Sequence, residues 1–186
     1  TIIQILAVDL GTDMLPALGL GANPPAQGIM TRPPKGRNER LLNWPLLLRA
    51  YLFLGLLEAS AAMTAYYLVL HNGGWAWGEA LGIHDTLYQQ ATTACLASII
   101  IMQIVNVFLC KTPDRTLFGS AIFSNRLILW GVTLEIILIL VIIYTPWGQM
   151  IFGTAPIPLS IWLFMLPFGA AMLLLEEVRK WASIKW

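Results

Sequence analysis

The sequence predicts an all-α fold, an integral membrane helical bundle of five transmembrane helices. Its composition, its five long apolar segments and the placement of its basic residues support this prediction. Of the 186 residues, 58% are hydrophobic and 11% are charged, whereas soluble domains carry about 25% charged residues. The mean hydropathy is +0.71. The length suits one membrane domain over residues 1–186.

Five apolar segments approach the roughly 20 residues that a helix needs to cross the hydrocarbon core. They lie at about 1–21, 46–70, 89–110, 126–145 and 158–177. The connections 71–88 and 146–157 contain no Lys or Arg. All eleven basic residues therefore fall on the other side of the predicted membrane: Arg32, Lys35, Arg37, Arg40, Arg49, Lys111, Arg115, Arg126, Arg179, Lys180 and Lys185.

This charge asymmetry predicts the orientation of the chain. Short cytoplasmic loops are enriched in Lys and Arg, so the start of the chain is predicted to lie outside and the C-terminus in the cytoplasm. The predicted cytoplasmic parts are the loops 22–45 and 111–125 and the tail 178–186. We expect the cell membrane to be the location.

The first apolar segment carries two acids, Asp9 and Asp13, four residues apart with Thr12 between them. Each carboxylate near the middle of a bilayer helix costs roughly 2.5 to 3.5 kcal/mol. A regular helix would place both carboxylates and the hydroxyl on one face, which predicts a site for a hard cation. Gly11 and Pro16 predict an opened turn that would add carbonyl ligands. The alternative is a salt-bridged or protonated acid pair that only joins two helices.

The later segments also hold polar residues. In the second segment, the small residues Ala59, Ser60, Ala61 and Ala62 would let a neighbouring helix approach closely. Glu58 beside them is either a hydrogen-bonding packing residue or an acid of an access path, and both interpretations stay open. Gln103 and Asn106 share a face of the third segment. Glu135 lies in the fourth segment, where its insertion cost favours a functional role over packing.

No catalytic or cofactor-binding constellation is recognisable in the sequence, so we expect no catalysis by this chain alone and no cofactor within it. Cys95 and Cys110 are predicted to be buried free thiols, and His71 and His84 to be surface histidines of a loop. The charged run 176–180 predicts an interfacial cluster without chemistry. The missing initiator Met predicts that the chain is the trailing piece of something longer.

Several motifs resemble the P-type cation-transporting ATPases. Val8-Asp9-Leu-Gly-Thr-Asp13-Met-Leu-Pro16-Ala, followed by Gly21-Ala-Asn-Pro-Pro25 and Ile29-Met-Thr-Arg32-Pro-Pro-Lys35, is similar to the sixth transmembrane helix and the cytoplasmic loop after it. Val107-Phe-Leu-Cys110-Lys-Thr112 and Glu176-Glu-Val-Arg-Lys180 resemble the ends of the eighth and tenth helices. The resemblance covers essentially the whole chain and is closest in motif to the sodium/potassium and calcium pump group. It implies that the five segments are helices six to ten, the C-terminal transmembrane region.

The resemblance also implies a set of cation ligands, in which Asp13 is shared between sites. The implied ligands are Asp9, Thr12, Asp13, Gln103, Asn106 and Glu135.

The types of these residues leave the identity of the cation open. The residue types at Asp9 and Gln103 resemble those at the same positions of the sodium/potassium pump. The residue type at Asn106 resembles that of the calcium pump. Glu135 falls where the sodium pump has an acid linked to its third sodium site. Calcium, sodium, potassium and proton all remain possible cargoes.

The family implies alternating access driven by phosphorylation of an Asp in a cytoplasmic domain. The parent pump would use ATP and Mg²⁺, and its phosphorylation, nucleotide-binding and actuator domains are absent from these residues. The implied partners are the transported cation, the remaining helices and cytoplasmic domains, and the lipid bilayer. No feature favours a nucleic acid as partner.

Two further hypotheses come from other classes of protein. The chain could be a free-standing, non-enzymatic five-span protein that acts as a partner or remnant. A channel or secondary transporter is less well supported, because the chain lacks the internal repeats that secondary transporters show.

Overall fold

A computed structural model describes residues 1–12, 14–23, 42–111 and 125–184. These ranges form helices and no β-strand, which confirms the predicted all-α class. Five helical spans are long and apolar enough to cross a membrane, as predicted. The first to fifth spans are Ile2–Gly21, Trp44–Asn72, Thr86–Lys111, Arg126–Tyr144 and Leu159–Ala182. Asp13 and most of the two predicted cytoplasmic loops lie outside the described residues, and the boundaries of those loops remain predictions.

The first two spans change helix type along their length. The first consists of α1 (Ile2–Leu6), a π-helical segment π1 (Ala7–Thr12) and α2 (Met14–Gly21). The second consists of α3 (Trp44–Leu47), π2 (Leu48–Gly55) and α4 (Leu56–Asn72). A π-helix pairs residue i with i+5 and occurs frequently at functional sites.

The remaining spans are regular α-helices. They are α5 (Thr86–Lys111), α6 (Arg126–Tyr144) and α8 (Leu159–Ile184), and a short helix α7 (Pro146–Phe152) joins the last two. Thr145 accepts a hydrogen bond from the Gly148 amide at the start of α7.

Hydrogen bonds between spans show which ends meet. The Gln4 amide donates to the Phe152 carbonyl (3.2 Å), and the Ala155 amide donates to the Thr93 hydroxyl (3.0 Å), so the starts of the first, third and fifth spans share one end of the bundle. An ion pair between Arg49 and Glu176 joins the start of the second span to the end of the fifth.

All basic residues of the described ranges lie at one end of the bundle, which we call the basic end. They are Arg49, Lys111, Arg126, Arg179 and Lys180. This agrees with the grouping expected from the sequence, although its relation to the cytoplasm remains a prediction.

Small residues join the second and third spans. Ala65 of α4 packs in one buried cluster with Ala91, Ala94 and Ala97 of α5, and Ala61 and Ala62 are also buried. Helices in membranes pack closely through such residues. The sequence had pointed to Ala59 and Ser60 as part of this surface, but both are exposed. Helical periodicity places Ser60 on a different face from Ala62 and Ala65, whereas Ala59, three residues before Ala62, lies at the edge of their face.

Glycines join the first and fourth spans. A Cβ atom on Gly131 would lie 3.0 Å from the Pro16 nitrogen and 3.1 Å from the Leu15 carbonyl carbon. A Cβ atom on Gly19 would lie 3.0 Å from the Ile128 side chain. The two backbones are therefore close enough that only glycine fits at both positions without a shift.

Candidate cation site

A cavity of about 590 Å³ lies between the first, second and third spans. Asp9 and Val8 of π1, Tyr66 of α4 and Gln103 of α5 contribute to its wall. The cavity therefore has a mostly apolar lining with a carboxylate and an amide that could orient a ligand. This composition is usual for small binding sites in proteins.

A second cavity, of about 270 Å³, lies closer to the basic end. Its wall includes the residues Glu58, Gln103, Asn106, Cys110 and Glu135. Pro16 and neighbouring residues of α2 supply an apolar side. Residues from the first four spans thus meet around one space, and three of them are predicted ligands.

Gln103 belongs to the walls of both cavities. The Asp9 cavity and the cavity lined by Asn106 and Glu135 therefore adjoin at this residue. The structure therefore brings four of the six predicted ligands to two adjoining cavities. Thr12 is described only in its backbone, and Asp13 lies outside the described residues.

Glu58 and Glu135 lie at the midpoints of their spans. Fourteen residues separate Glu58 from Trp44 and fourteen from Asn72, while nine separate Glu135 from each end of Arg126–Tyr144. Glu135 is only 1% exposed. Both carboxyl groups thus lie at the centre of an apolar span, where a charge in a bilayer would be most costly.

The backbone beside Asp9 is irregular, as the sequence indicated. The turn is wound wider, as the π-helical segment π1 (Ala7–Thr12), instead of being opened into extended chain. Pro16 has no N–H for the carbonyl of Thr12 four residues earlier, which disfavours a regular α-helix at this point. The Asp9 side chain is exposed on the surface of the described bundle.

The acids alone do not form a closed metal centre. Within the described part of the chain, no group of three or more His, Cys, Asp or Glu side chains could hold a metal ion together. Hard cations take amide and carbonyl oxygens as well as carboxylates. A cation in these cavities would therefore depend on Gln103 and Asn106 in addition to the acids.

The structure changes three expectations about neighbouring residues. Both cysteines are free as predicted, but neither is buried: Cys95 is half-buried and Cys110 is exposed. The Cys110 thiol lies 3.6 Å from the Asn106 amide oxygen. Only the i, i+4 spacing of the two residues in the sequence indicated this contact. His71 belongs to the last turn of α4 and not to a loop, whereas both His71 and His84 are exposed as expected.

The fold and these cavities define a multi-pass membrane protein with polar groups inside its helical bundle. Residues 1–182 match the family described as "Cation transporting ATPase, C-terminus". The chain belongs to this family.

Similar proteins include several cation pumps. The rat sodium/potassium-transporting ATPase subunit alpha-4 is 30% identical over 96% of this chain. Human sodium/potassium-transporting ATPase subunit alpha-3 and human potassium-transporting ATPase alpha chain 2 are each 28% identical over the same share. The aligned part is 20% of the length of each relative. The chain therefore spans about a fifth of the curated relatives it matches.

Proposed function

We propose that this chain is the C-terminal membrane region of an ATP-driven P-type cation pump. In this function it supplies part of the intramembrane cation site and of the ion path. The observation that best supports the proposal is the pair of adjoining cavities whose shared wall is Gln103. Family membership over residues 1–182 supports it independently.

The proposed ligands are Asp9, Gln103, Asn106 and Glu135, together with Thr12 and Asp13 from the first span. Carboxylate and amide oxygens suit a hard cation such as sodium, potassium or calcium, and a carboxylate could also carry a proton. The remaining helices and cytoplasmic domains of the pump would complete the site. ATP and Mg²⁺ would act in those domains, so the phosphorylation chemistry lies outside this chain.

The proposed location is the cell membrane, with the C-terminus in the cytoplasm. The grouping of basic residues at one end of the bundle supports this orientation, because cytoplasmic loops are enriched in Lys and Arg. A cysteine replacing His84 should react with an impermeant thiol reagent added outside, and one replacing Gly36 only from inside. The reverse labelling pattern would contradict the orientation.

The alternative of a free-standing partner or remnant is not favoured. The similarity to pump subunits extends over 96% of the chain and does not stop at one helix or motif.

The function is tested with the parent protein in sealed vesicles. ATP should drive uptake of sodium, potassium, calcium or protons, each followed separately. In the same protein, Asp9→Asn should reduce cation-stimulated phosphorylation by ATP, because it removes an anionic ligand. Glu79→Gln, outside the spans, is the control and should behave as the wild type. Vesicles that move none of the four ions with ATP would contradict the proposal.

A further inference from the structure

Glu58 is an acid at the middle of a membrane span for which sequence and family resemblance give no role. It lies fourteen residues from each end of Trp44–Asn72. A charge at this depth opposes insertion by about 2.5 to 3.5 kcal/mol, and such residues face the bundle interior or a water-filled cavity. The sequence left two interpretations open, a packing residue or an acid of an access path.

The packing of α4 distinguishes the two interpretations. Glu58 precedes Ala61, Ala62 and Ala65 by three, four and seven residues, so all four share one helical face. The three alanines are at most 4% exposed, and Ala61 and Ala65 pack in buried clusters that include residues of α5. At Glu58 the same face instead lines the 270 Å³ cavity. Buried packing resumes at Leu54, four residues before Glu58, so Glu58 lines a gap between two packed parts of this face.

The wall opposite Glu58 includes several polar residues. Gln103 and Asn106 of α5 and Glu135 of α6 line the same cavity. Since one water occupies about 30 Å³ of liquid volume, a volume of about 270 Å³ accommodates several waters. A cation there could keep part of its hydration shell while it contacts oxygen atoms of the wall.

We propose that Glu58 is a further residue of the ion path, where its carboxylate contacts a partly hydrated metal cation. The cation passes between this cavity and the Asp9 cavity along Gln103, which lies on both walls. This inference rests on the proposed function and adds the second span to the elements that contact the cargo. It excludes packing as the sole role of Glu58.

The test compares Glu58→Gln with the wild type in the full-length pump. ATP hydrolysis is titrated separately with NaCl, KCl and CaCl₂. Gln has nearly the same volume and can still form hydrogen bonds, so a packing role would leave the titration unchanged. Loss of the charge should raise the half-maximal cation concentration about tenfold. The thermal unfolding temperature should stay as in the wild type.

Ser60→Ala is the matched control in the same span. The Ser60 hydroxyl donates to the Leu57 carbonyl (2.8 Å), and its side chain is exposed and does not line the cavity. This variant should keep the wild-type titration. An unchanged titration in Glu58→Gln, with cation stimulation intact in the wild type, would overturn the inference while leaving the pump function in place. A wild type that moves no ion with ATP would instead contradict the pump function itself.

A measurement on the unmodified protein covers the case in which Glu58→Gln does not fold. Dicyclohexylcarbodiimide attaches to membrane carboxyl groups, and the modified residues are identified by mass spectrometry. Glu58 should be labelled, and the salt that stimulates ATP hydrolysis should protect it. Labelling that is absent, or equal with and without that salt, would overturn the inference. Stimulation by protons alone, with no response to the three metal salts, would also overturn it.

Discussion

The Arg49 guanidinium lies 2.6 Å from the Glu176 carboxylate and ties the start of the second span to the end of the fifth. The Glu176 side chain is fully buried, and Arg179 donates two further hydrogen bonds to it, each 2.8 Å long. One buried anion is thus held between two cations. The sequence suggested a simple interfacial cluster, whereas this arrangement fixes the distance between two spans.

Glu176→Gln should destabilise the bundle strongly. Removing one partner of a buried ion pair leaves the other charge uncompensated and costs about 3–5 kcal/mol. The loss should appear as a lower thermal unfolding temperature of the detergent-solubilised protein. Glu177→Gln is the control, because the Glu177 side chain is 14% exposed and its pair with Lys180 (3.0 Å) lies within a single helix. Equal effects of the two substitutions would contradict the structural role of the Arg49 contact.

Asn125→Ala should weaken both the start of α6 and its contact with the first span. The Asn125 side chain accepts from the Leu127 amide (3.0 Å) and donates to the Gly19 carbonyl (2.8 Å). Loss of a helix cap costs about 1 kcal/mol, and a buried carbonyl without its donor costs about 1–3 kcal/mol more.

The control for Asn125 is Asn43→Ala. Asn43 also caps a helix, but its only described side-chain bond is to the exposed Leu46 amide. The thermal unfolding temperature should fall less for Asn43→Ala than for Asn125→Ala. A larger shift for Asn43 would show that the bond to Gly19 contributes nothing.

Gly131→Ala should push the first span away from the fourth. The added Cβ would meet backbone atoms of Leu15 and Pro16 at 3.0–3.3 Å, and backbone cannot move aside as a flexible side chain can. Because π1 and Asp9 belong to the first span, we expect lower cation-stimulated ATP hydrolysis in the parent pump as well as lower stability. Gly21→Ala is the control, since its Cβ would meet nothing within 4 Å. Wild-type behaviour of Gly131→Ala would contradict the close contact.

The number and class of helices could be predicted because the bilayer leaves few choices. Backbone groups in lipid must pair internally, so a long apolar segment becomes a helix whatever its neighbours are. The π-helical segment Leu48–Gly55 could not be predicted in this way. Its residues are as apolar as those of an α-helix, and hydropathy carries no information about which carbonyl each amide pairs with.

The cavities required the arrangement of the helices in space. The sequence spacing placed Gln103 and Asn106 on one face of the third span. No sequence pattern could predict that Glu58 and Glu135 line the same cavity. That contact depends on how the second, third and fourth spans are rotated and where their close packing ends. The alanines of α4 indicate the packing face, yet the opening at Glu58 follows only from the packed structure.

Gln103→Leu should weaken the response to the transported cation, because Gln103 lines both cavities. The substitution keeps a similar volume but replaces the amide group of a residue that lines both cavities with an apolar group. A hard cation that leaves water needs oxygen ligands, so the half-maximal cation concentration for ATP hydrolysis in the parent pump should rise. Gln90→Leu is the control, because Gln90 donates to the Pro156 carbonyl (3.3 Å) at the opposite end of the bundle. If Gln103→Leu and Gln90→Leu both keep the wild-type cation dependence, Gln103 does not contact the transported ion.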